Sequence, residues 1–134
     1  LLRYDRPMRA DATVLEGGMS NVLGFTALST SVKIIEQLSV EAISRHVADY
    51  HDRLESGLVS RGWSSVRAPG RAEQSGILSL STPTGIDGSA MVQHLDRCAV
   101  VANWPDGFIR FSPHWPNGMN EVEVVLAAVD AFRG

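Results

Sequence analysis

The chain has 134 residues, of which 44% are hydrophobic and 20% are charged, and its formal net charge is -3. This length suits one domain with a hydrophobic core, and the composition is that of a folded protein. Because the sequence has no lysine- and arginine-rich run, no apolar stretch of bilayer length and no signal peptide, we expect neither nucleic acid nor a membrane as a partner. The single cysteine, Cys98, excludes an internal disulfide bond and is typical of a cytoplasmic protein.

The first part of the chain predicts an extended segment, a glycine loop and a helix. Residues 1–14 mix charges without a clear period, so we interpret them as an extended lead-in to a single domain over residues 15–134. The loop Leu15-Glu16-Gly17-Gly18-Met19-Ser20-Asn21 comes next. Apolar residues then recur at helical spacing from Val22 to about Gln37.

The most regular pattern in the sequence predicts a second helix. Ser39 is a favourable N-cap, Glu41 lies in the first turn where the helix dipole favours an acid, and Gly62 is placed for a left-handed cap at the end. One apolar stripe with steps of three or four residues connects these signals. It consists of Val40, Ile43, Val47, Tyr50, Leu54 and Leu58.

Strands are predicted in the remaining half of the chain. The segments with strand character are residues 63–66, 76–81, 98–102 and 107–113. The connection from Val101 to Phe111 is too short for a helical crossover, so these two strands must be antiparallel. We therefore predict an α+β fold, in which a small and mostly antiparallel sheet carries helices on one face.

Two more helices accompany these strands. The third begins at Asp87 or Gly88. The last begins at Asn117 or Gly118, and Glu121 is placed for a capping-box contact if Gly118 is the cap residue.

Arg110 is the clearest candidate for a binding residue. Alternation along the run Gly107-Phe108-Ile109-Arg110-Phe111-Ser112-Pro113 places its side chain opposite to those of Ile109 and Phe111. A guanidinium keeps its charge, and its fork of donors suits a carboxylate or a phosphate. A structural ion pair, or an edge arginine that reaches water, is the alternative. His114 follows the run and could line the same pocket, although a packing role is favoured for it.

The glycine loop is a candidate phosphate site. Its glycines allow backbone N–H groups to approach a ligand, and the start of the following helix is electropositive. Ser20 and Asn21 can add donors. Simple capping of the helix by one of these two residues is the alternative.

The other residues that could carry chemistry form no recognised pattern. Lys33 lies in the middle of the first helix, where a solvated side chain is expected. His46 and His51 are five residues apart and do not share a helix face as two metal ligands would. We expect His94 on a helix surface and Cys98 packed as a small apolar residue. The sequence therefore predicts no metal site and no catalytic residue in this chain.

Together, the segments resemble the C-terminal part of the class V pyridoxal-phosphate (PLP) aminotransferase family, which is similar in fold to cysteine desulfurases, kynureninase and isopenicillin-N epimerase-like lyases. The resemblance rests on two motifs and covers nearly the whole sequence. The first is Leu15-Glu16-Gly17-Gly18-Met19-Ser20-Asn21 before a helix. The more specific one is Ile109-Arg110-Phe111-Ser112-Pro113-His114-Trp115-Pro116-Asn117 before the last helix.

The resemblance implies roles for particular residues. In this family the glycine loop of one subunit reaches the PLP phosphate of the other subunit in a homodimer, which implies that Gly18, Ser20 and Asn21 bind the cofactor. Met19 stands where the family usually has Thr, and its thioether cannot donate to a phosphate. The strand arginine of kynureninase-like members holds the substrate α-carboxylate, which implies this role for Arg110.

The departures from the family are equally informative. The lysine that attaches PLP lies upstream of the glycine loop in the family, no residue here matches it, and the large cofactor domain is absent too. The chain also begins Leu1-Leu2, without an initiator Met. We therefore expect a fragment of a PLP-dependent aminotransferase or lyase that acts on an amino acid, inert on its own.

Desulfurase activity is disfavoured, because the connection 103–107 is too short for the cysteine-bearing loop that such enzymes carry. The alternative to an enzyme fragment is a stand-alone α+β module for dimerisation or small-ligand binding, without catalysis.

Overall fold

A computed structural model describes Pro7, residues 10–12 and residues 21–133. The chain divides into two compact units, residues 1–38 and residues 39–134. Within the described part, every helix is too short or too polar to span a bilayer.

The first unit contains helix α1, Val22–Leu38, in agreement with the apolar spacing. Asn21 caps it, because its side-chain Oδ1 accepts the N–H of Gly24 at 2.8 Å and its main-chain oxygen accepts the N–H of Phe25 at 3.0 Å. None of the residues of α1 is buried. Most of the predicted lead-in, 1–14, lies outside the described residues, so the predicted domain boundaries stay predictions.

The second unit begins with helix α2, Val40–Val59. The Ser39 side chain accepts the N–H of Ala42 at 3.1 Å, and Gly62 has a φ of 84° just after the helix, so both predicted caps are confirmed. The buried face of α2 consists of Val47, Tyr50, His51, Leu54 and Leu58. His51 is the polar exception in this stripe, and the apolar pattern did not include it.

A three-stranded antiparallel sheet follows, in the order β1-β2-β3. Its strands are β1 (Ser64–Ser65), β2 (Leu78–Ser81) and β3 (Ile109–Phe111). Ser79 of β2 pairs with Arg110 of β3, and an isolated antiparallel bridge joins Arg110 to Asn103 on its other side. Of the antiparallel pair predicted between residues 98–102 and the Arg110 strand, the structure has only this single bridge at Asn103, because residues 98–102 form no strand.

Two further helices complete the unit, α3 (Gly88–Arg97) and α4 (Glu121–Asp130). The carboxylate of Asp87 accepts the N–H of Ala90 at 2.9 Å, which confirms the predicted start of α3. Helix α4 begins later than predicted. The N–H of Gly118 nevertheless donates to Oε1 of Glu121 at 3.0 Å, so the expected capping contact forms in the turn before the helix.

The strand predicted over residues 98–102 is wrong. Cys98 is instead the C-cap of α3, and Ala99 has a φ of 59°, which turns the chain sharply away from the helix. The N–H of Val100 donates back to the main-chain oxygen of Leu95 at 2.9 Å. These backbone groups are used to end the helix, so they are not available to a strand.

The core lies between one face of the sheet and helices α2, α3 and α4. Its fully buried apolar side chains come from all of these elements and include Leu54, Leu58, Leu78, Leu80, Leu95, Ile109 and Val122. Each contributes about 1.5–3 kcal/mol by leaving water. Because side chains alternate along a strand, Ser79 and Arg110 lie on the opposite face of the sheet. The second unit is therefore α+β with helices α2, α3 and α4 on one face of the sheet, in agreement with the predicted fold class.

Candidate functional site

Arg110 lies in the middle of β3 and is half-buried, while its neighbours Ile109 and Phe111 are buried in the core. Its main chain is held on both sides. Its N–H donates to the oxygen of Asn103 at 2.8 Å, and on the other side it is in register with Ser79. The sheet thus fixes the backbone of Arg110, and its side chain leaves the strand on the face away from α2, α3 and α4.

The guanidinium of Arg110 has no ion pair and no hydrogen bond with any residue in the described part of the chain. Its Nε is buried without a partner. A half-buried cation without a partner costs free energy, because the protein replaces water without replacing its hydrogen bonds. The donors of Arg110 are therefore free to bind an anionic group, and its role as a ligand residue stays a prediction.

Arg110 lines a cavity of about 320 Å³, which we call the sheet-face cavity. The other polar residues that line it are Arg67, Glu73, Gln74, Ser75 and Ser79. Its volume lies at the lower end of the range of about 300–1,000 Å³ that is typical of small-molecule sites. The cavity suits a small polar ligand.

Arg67 and Gln74 bring further unpaired polar atoms to this cavity. Nε and Nη2 of Arg67 and Oε1 of Gln74 are buried without a partner. Nη1 of Arg67 is engaged, since it donates to Asp52 at 2.7 Å and to Glu55 at 2.8 Å. The two carboxylates therefore neutralise Arg67 and hold one side of its fork.

Arg110 also lines a second cavity, of about 560 Å³. Asn103, Ser112 and Tyr50 contribute polar groups to its lining, and Val125 contributes an apolar side chain. Burial, with a smaller contribution from the charge of Glu121, raises the pKa of Tyr50, so its phenol stays protonated at neutral pH. Besides Arg110, this cavity is lined by neutral hydrogen-bonding groups and by the carboxylate of Glu121, and the described residues add no second cation to it.

The predicted cofactor residues belong to the first unit. Gly18 and Ser20 lie outside the described residues. Asn21 is exposed and caps α1, as the alternative interpretation of the loop expected. The phosphate role of these three residues stays a prediction. His114 is exposed and lines neither cavity that contains Arg110.

The other residues singled out in the sequence are either exposed or packed against neighbouring elements. Lys33 is exposed on α1. The expectation that His94 lies on a surface is wrong, because α4 packs on α3 and the His94 Nε2 lies 2.8 Å from the main-chain oxygen of Ala128. The thiol of Cys98 is half-buried, 3.7 Å from the same nitrogen. Among the described residues, no group of three histidines, cysteines or acids could hold a metal ion.

Sequence reasoning missed Arg67, Gln74 and His51. The first two lie between the predicted strands 63–66 and 76–81, and the burial of Arg67 depends on Asp52 and Glu55 of α2. His51 is fully buried with both ring nitrogens unpaired. Burial, assisted by the charge of Arg67, lowers its pKa to about 4. No local pattern marks Arg67 or Gln74, whereas His51 lies four residues after Val47 and three before Leu54, a spacing that predicts its burial in α2.

No family model matches the chain, and no curated protein matches it. Among solved structures, the chain is similar to an apo structure of the cysteine desulfurase from Thermococcus onnurineus NA1, with a TM-score of 0.78 and 20% identity over 89% of this chain and 33% of that one. It is also similar to a NifS-like protein, with a TM-score of 0.76 and 22% identity over 93% of this chain and 38% of that one.

The chain has the small-domain fold of these two proteins. It spans little more than a third of their length. The fold that the motifs implied is therefore confirmed.

Proposed function

We propose that this chain is the small domain of a PLP-dependent enzyme that acts on an amino acid, and that Arg110 holds the α-carboxylate of the substrate. The observation that carries the proposal is that Arg110 is half-buried beside two cavities and that its guanidinium has no partner among the described residues. The fold shared with a cysteine desulfurase supports the wider assignment.

The chemistry of Arg110 suits this role. A guanidinium can bind a carboxylate through two parallel hydrogen bonds, which fixes the orientation of the ligand as well as its position. The strand pairing on both sides of Arg110 limits how far its backbone can move. A clamp that is already in place lowers the entropic cost of aligning an amino acid for reaction.

PLP supplies an electron sink for reactions at the α-carbon of an amino acid. We assign Gly18, Ser20 and Asn21 to its phosphate, in the other subunit of a homodimer. Asn21 fits such a role, because its Oδ1 is used by the N–H of Gly24 while its Nδ2 has no hydrogen-bond partner among the described residues. Lys33 is exposed in the middle of α1, so we expect the lysine that attaches PLP to lie outside this chain.

We favour an aminotransferase or a lyase over a desulfurase. The connection from Asn103 to β3 is largely a short 3-10 turn, Pro105–Gly107, and contains no cysteine. The thiol of Cys98 is half-buried at the end of α3, where it is poorly placed to reach a substrate. We place the enzyme in the cytoplasm because the chain has a single, unpaired cysteine.

The test uses the polypeptide that carries this segment, expressed with the residues that precede Leu1 in its gene. We expect Arg110→Gln to lower kcat/KM for the amino-acid substrate by about tenfold to a hundredfold, the effect of losing a charge-assisted hydrogen bond. The visible absorbance of bound PLP should not change. Arg97→Gln is the matched control, because Arg97 is exposed on α3 and makes no ion pair within the described residues.

Two results would overturn the proposal. The first is a polypeptide that binds no PLP. The second is an Arg110→Gln variant whose kcat/KM equals that of Arg97→Gln.

A dimerisation module without catalysis is the second candidate function, and the surface of α1 favours it. This helix exposes apolar side chains, among which Leu23, Phe25 and Leu28 are more than half exposed. Lys33 and Glu36 are its charged residues. An apolar helix with no buried residue is expected to pack against a partner, and a second copy of this chain is the partner we propose.

A further inference from the structure

The sheet-face cavity combines unpaired donors with an unpaired acceptor. The donors are Nε of Arg110 and the Nε and Nη2 atoms of Arg67, and the acceptor is Oε1 of Gln74. All of these atoms are buried. A ligand that satisfies them must therefore carry both a hydrogen-bond acceptor and a hydrogen-bond donor.

The amide of Gln74 is held in a defined orientation. Its Nε2 donates to the main-chain oxygen of Ala68 at 2.9 Å, within the same loop. Turning the amide over would place Nε2 where Oε1 now lies and would break this bond. Gln74 therefore presents an acceptor rather than a donor.

The charges at the cavity decide what kind of ligand fits. The charge of Arg67 is offset by Asp52 and Glu55, which its Nη1 contacts. Arg110 and Glu73 line the same cavity, and neither has an ion pair within the described part of the chain. The cavity therefore presents one uncompensated positive charge and one uncompensated negative charge. A dianion would leave a repulsive contact with Glu73, whereas a ligand with one charge of each sign complements both.

We propose that the sheet-face cavity binds a free amino acid as a zwitterion, without a cofactor. Its carboxylate lies on Arg110, and its ammonium group lies between Oε1 of Gln74 and the carboxylate of Glu73. The proposal rests on the carboxylate role given to Arg110 above, and it adds an ammonium subsite in the same domain. Such a subsite would capture the amino acid in its ordinary charge state at neutral pH.

The experiment titrates the 134-residue chain with L-alanine and with propionate, which has the same carbon skeleton but no ammonium group. Binding is measured by calorimetry and by chemical-shift changes in NMR spectra. We expect L-alanine to bind at least tenfold more tightly than propionate, because propionate leaves Gln74 and Glu73 unpaired. Arg110→Gln should abolish the binding of both compounds.

Glu73→Gln tests the ammonium subsite alone. Glu73 is exposed, so this change should not affect folding, which circular dichroism checks. We expect it to weaken the binding of L-alanine several-fold and to leave the binding of propionate unchanged. Glu36→Gln and Arg97→Gln are the matched controls for the two charge changes and should bind as the unmodified chain does.

The outcomes separate the two proposals. Equal affinities for L-alanine and propionate that both depend on Arg110 would overturn the ammonium subsite and leave the carboxylate role intact. No binding of L-alanine would overturn cofactor-free capture, while the kcat/KM assay of the PLP-containing polypeptide would still decide the role of Arg110. If Arg110→Gln fails to fold, Arg110→Lys takes its place, since it keeps the charge but loses the bidentate geometry.

Discussion

Gly57 of α2 packs directly against the side chain of Leu126 on α4. A Cβ atom at position 57 would lie 2.6 Å from Cδ1 of Leu126, well inside van der Waals contact. Gly57→Ala should therefore destabilise the fold, because overpacking costs about 1–3 kcal/mol while the better helix propensity of alanine returns about 1 kcal/mol. Urea unfolding followed by circular dichroism measures the change in the free energy of unfolding.

The same substitution should change sign once Leu126 is shortened. In a Leu126→Ala background the obstruction is gone, so Gly57→Ala should stabilise by up to about 1 kcal/mol. If Gly57→Ala destabilises equally in both backgrounds, the close approach of the two helices is not the reason for the glycine.

His51 should make the stability of the fold depend on pH. Its pKa is lowered to about 4 by burial and by the charge of Arg67, although Glu55 and Asp52 act in the opposite direction. In the unfolded chain His51 therefore binds a proton below about pH 6.5, whereas in the folded chain it does so only below about pH 4. Stability is fully present above pH 6.5 and should fall by no more than about 3 kcal/mol as the pH drops to 4.

His51→Leu removes this titration and the two unpaired ring nitrogens. We expect the variant to be at least as stable as the unmodified chain at pH 5, and its free energy of unfolding to change less between pH 6.5 and 4. Urea unfolding at a series of pH values tests this. An unchanged pH profile in His51→Leu would show that other groups cause the acid sensitivity.

The ion pairs of Arg67 should matter far more than those of Arg53. The side chain of Arg67 is 4% exposed and contacts Asp52 and Glu55, whereas that of Arg53 is 52% exposed and contacts Glu123. Arg67→Met removes the buried partner of two carboxylates that water and Arg71 still reach, so it should cost about 1.5–3 kcal/mol, the range for hydrogen bonds to charged groups. Arg53→Met removes an exposed pair and should cost less than about 1 kcal/mol. Equal losses in urea unfolding would contradict the buried role of Arg67.

Most of the helices could be predicted from the sequence, because the signals that mark them are local. The apolar stripe of α2 and the caps at Ser39, Gly62 and Asp87 each depend on residues within one or two turns. The predicted strand over 98–102 failed for a related reason. Apolar residues suit either a strand or the end of a helix. The left-handed turn at Ala99 ends the helix here, and the sequence lacks the glycine that usually signals such a turn.

Of the residues at the candidate site, only Arg110 could be predicted, because its position follows from the alternation of side chains along a strand. Arg110 lies on the face opposite to Ile109 and Phe111, as the pattern required. Arg67 and Gln74 become buried because a loop folds over α2, which involves contacts between residues far apart in the sequence. Arginine and glutamine side chains outside helices and strands are ordinarily exposed, so no local feature selects Arg67 or Gln74.

The exposed apolar surface of α1 should cause the chain to self-associate. Isolated helices of this length are marginal in water, so α1 would gain stability if side chains such as Leu28 were buried against a second copy. We expect sedimentation velocity to show a dimer that dissociates on dilution. Leu28→Glu should shift the equilibrium to monomer, since it places a charge in the contact. Ser29→Glu adds the same charge next to it, at a polar position of α1, and should leave the dimer largely intact; if both variants or neither dissociate, the apolar surface of α1 is not what joins the subunits.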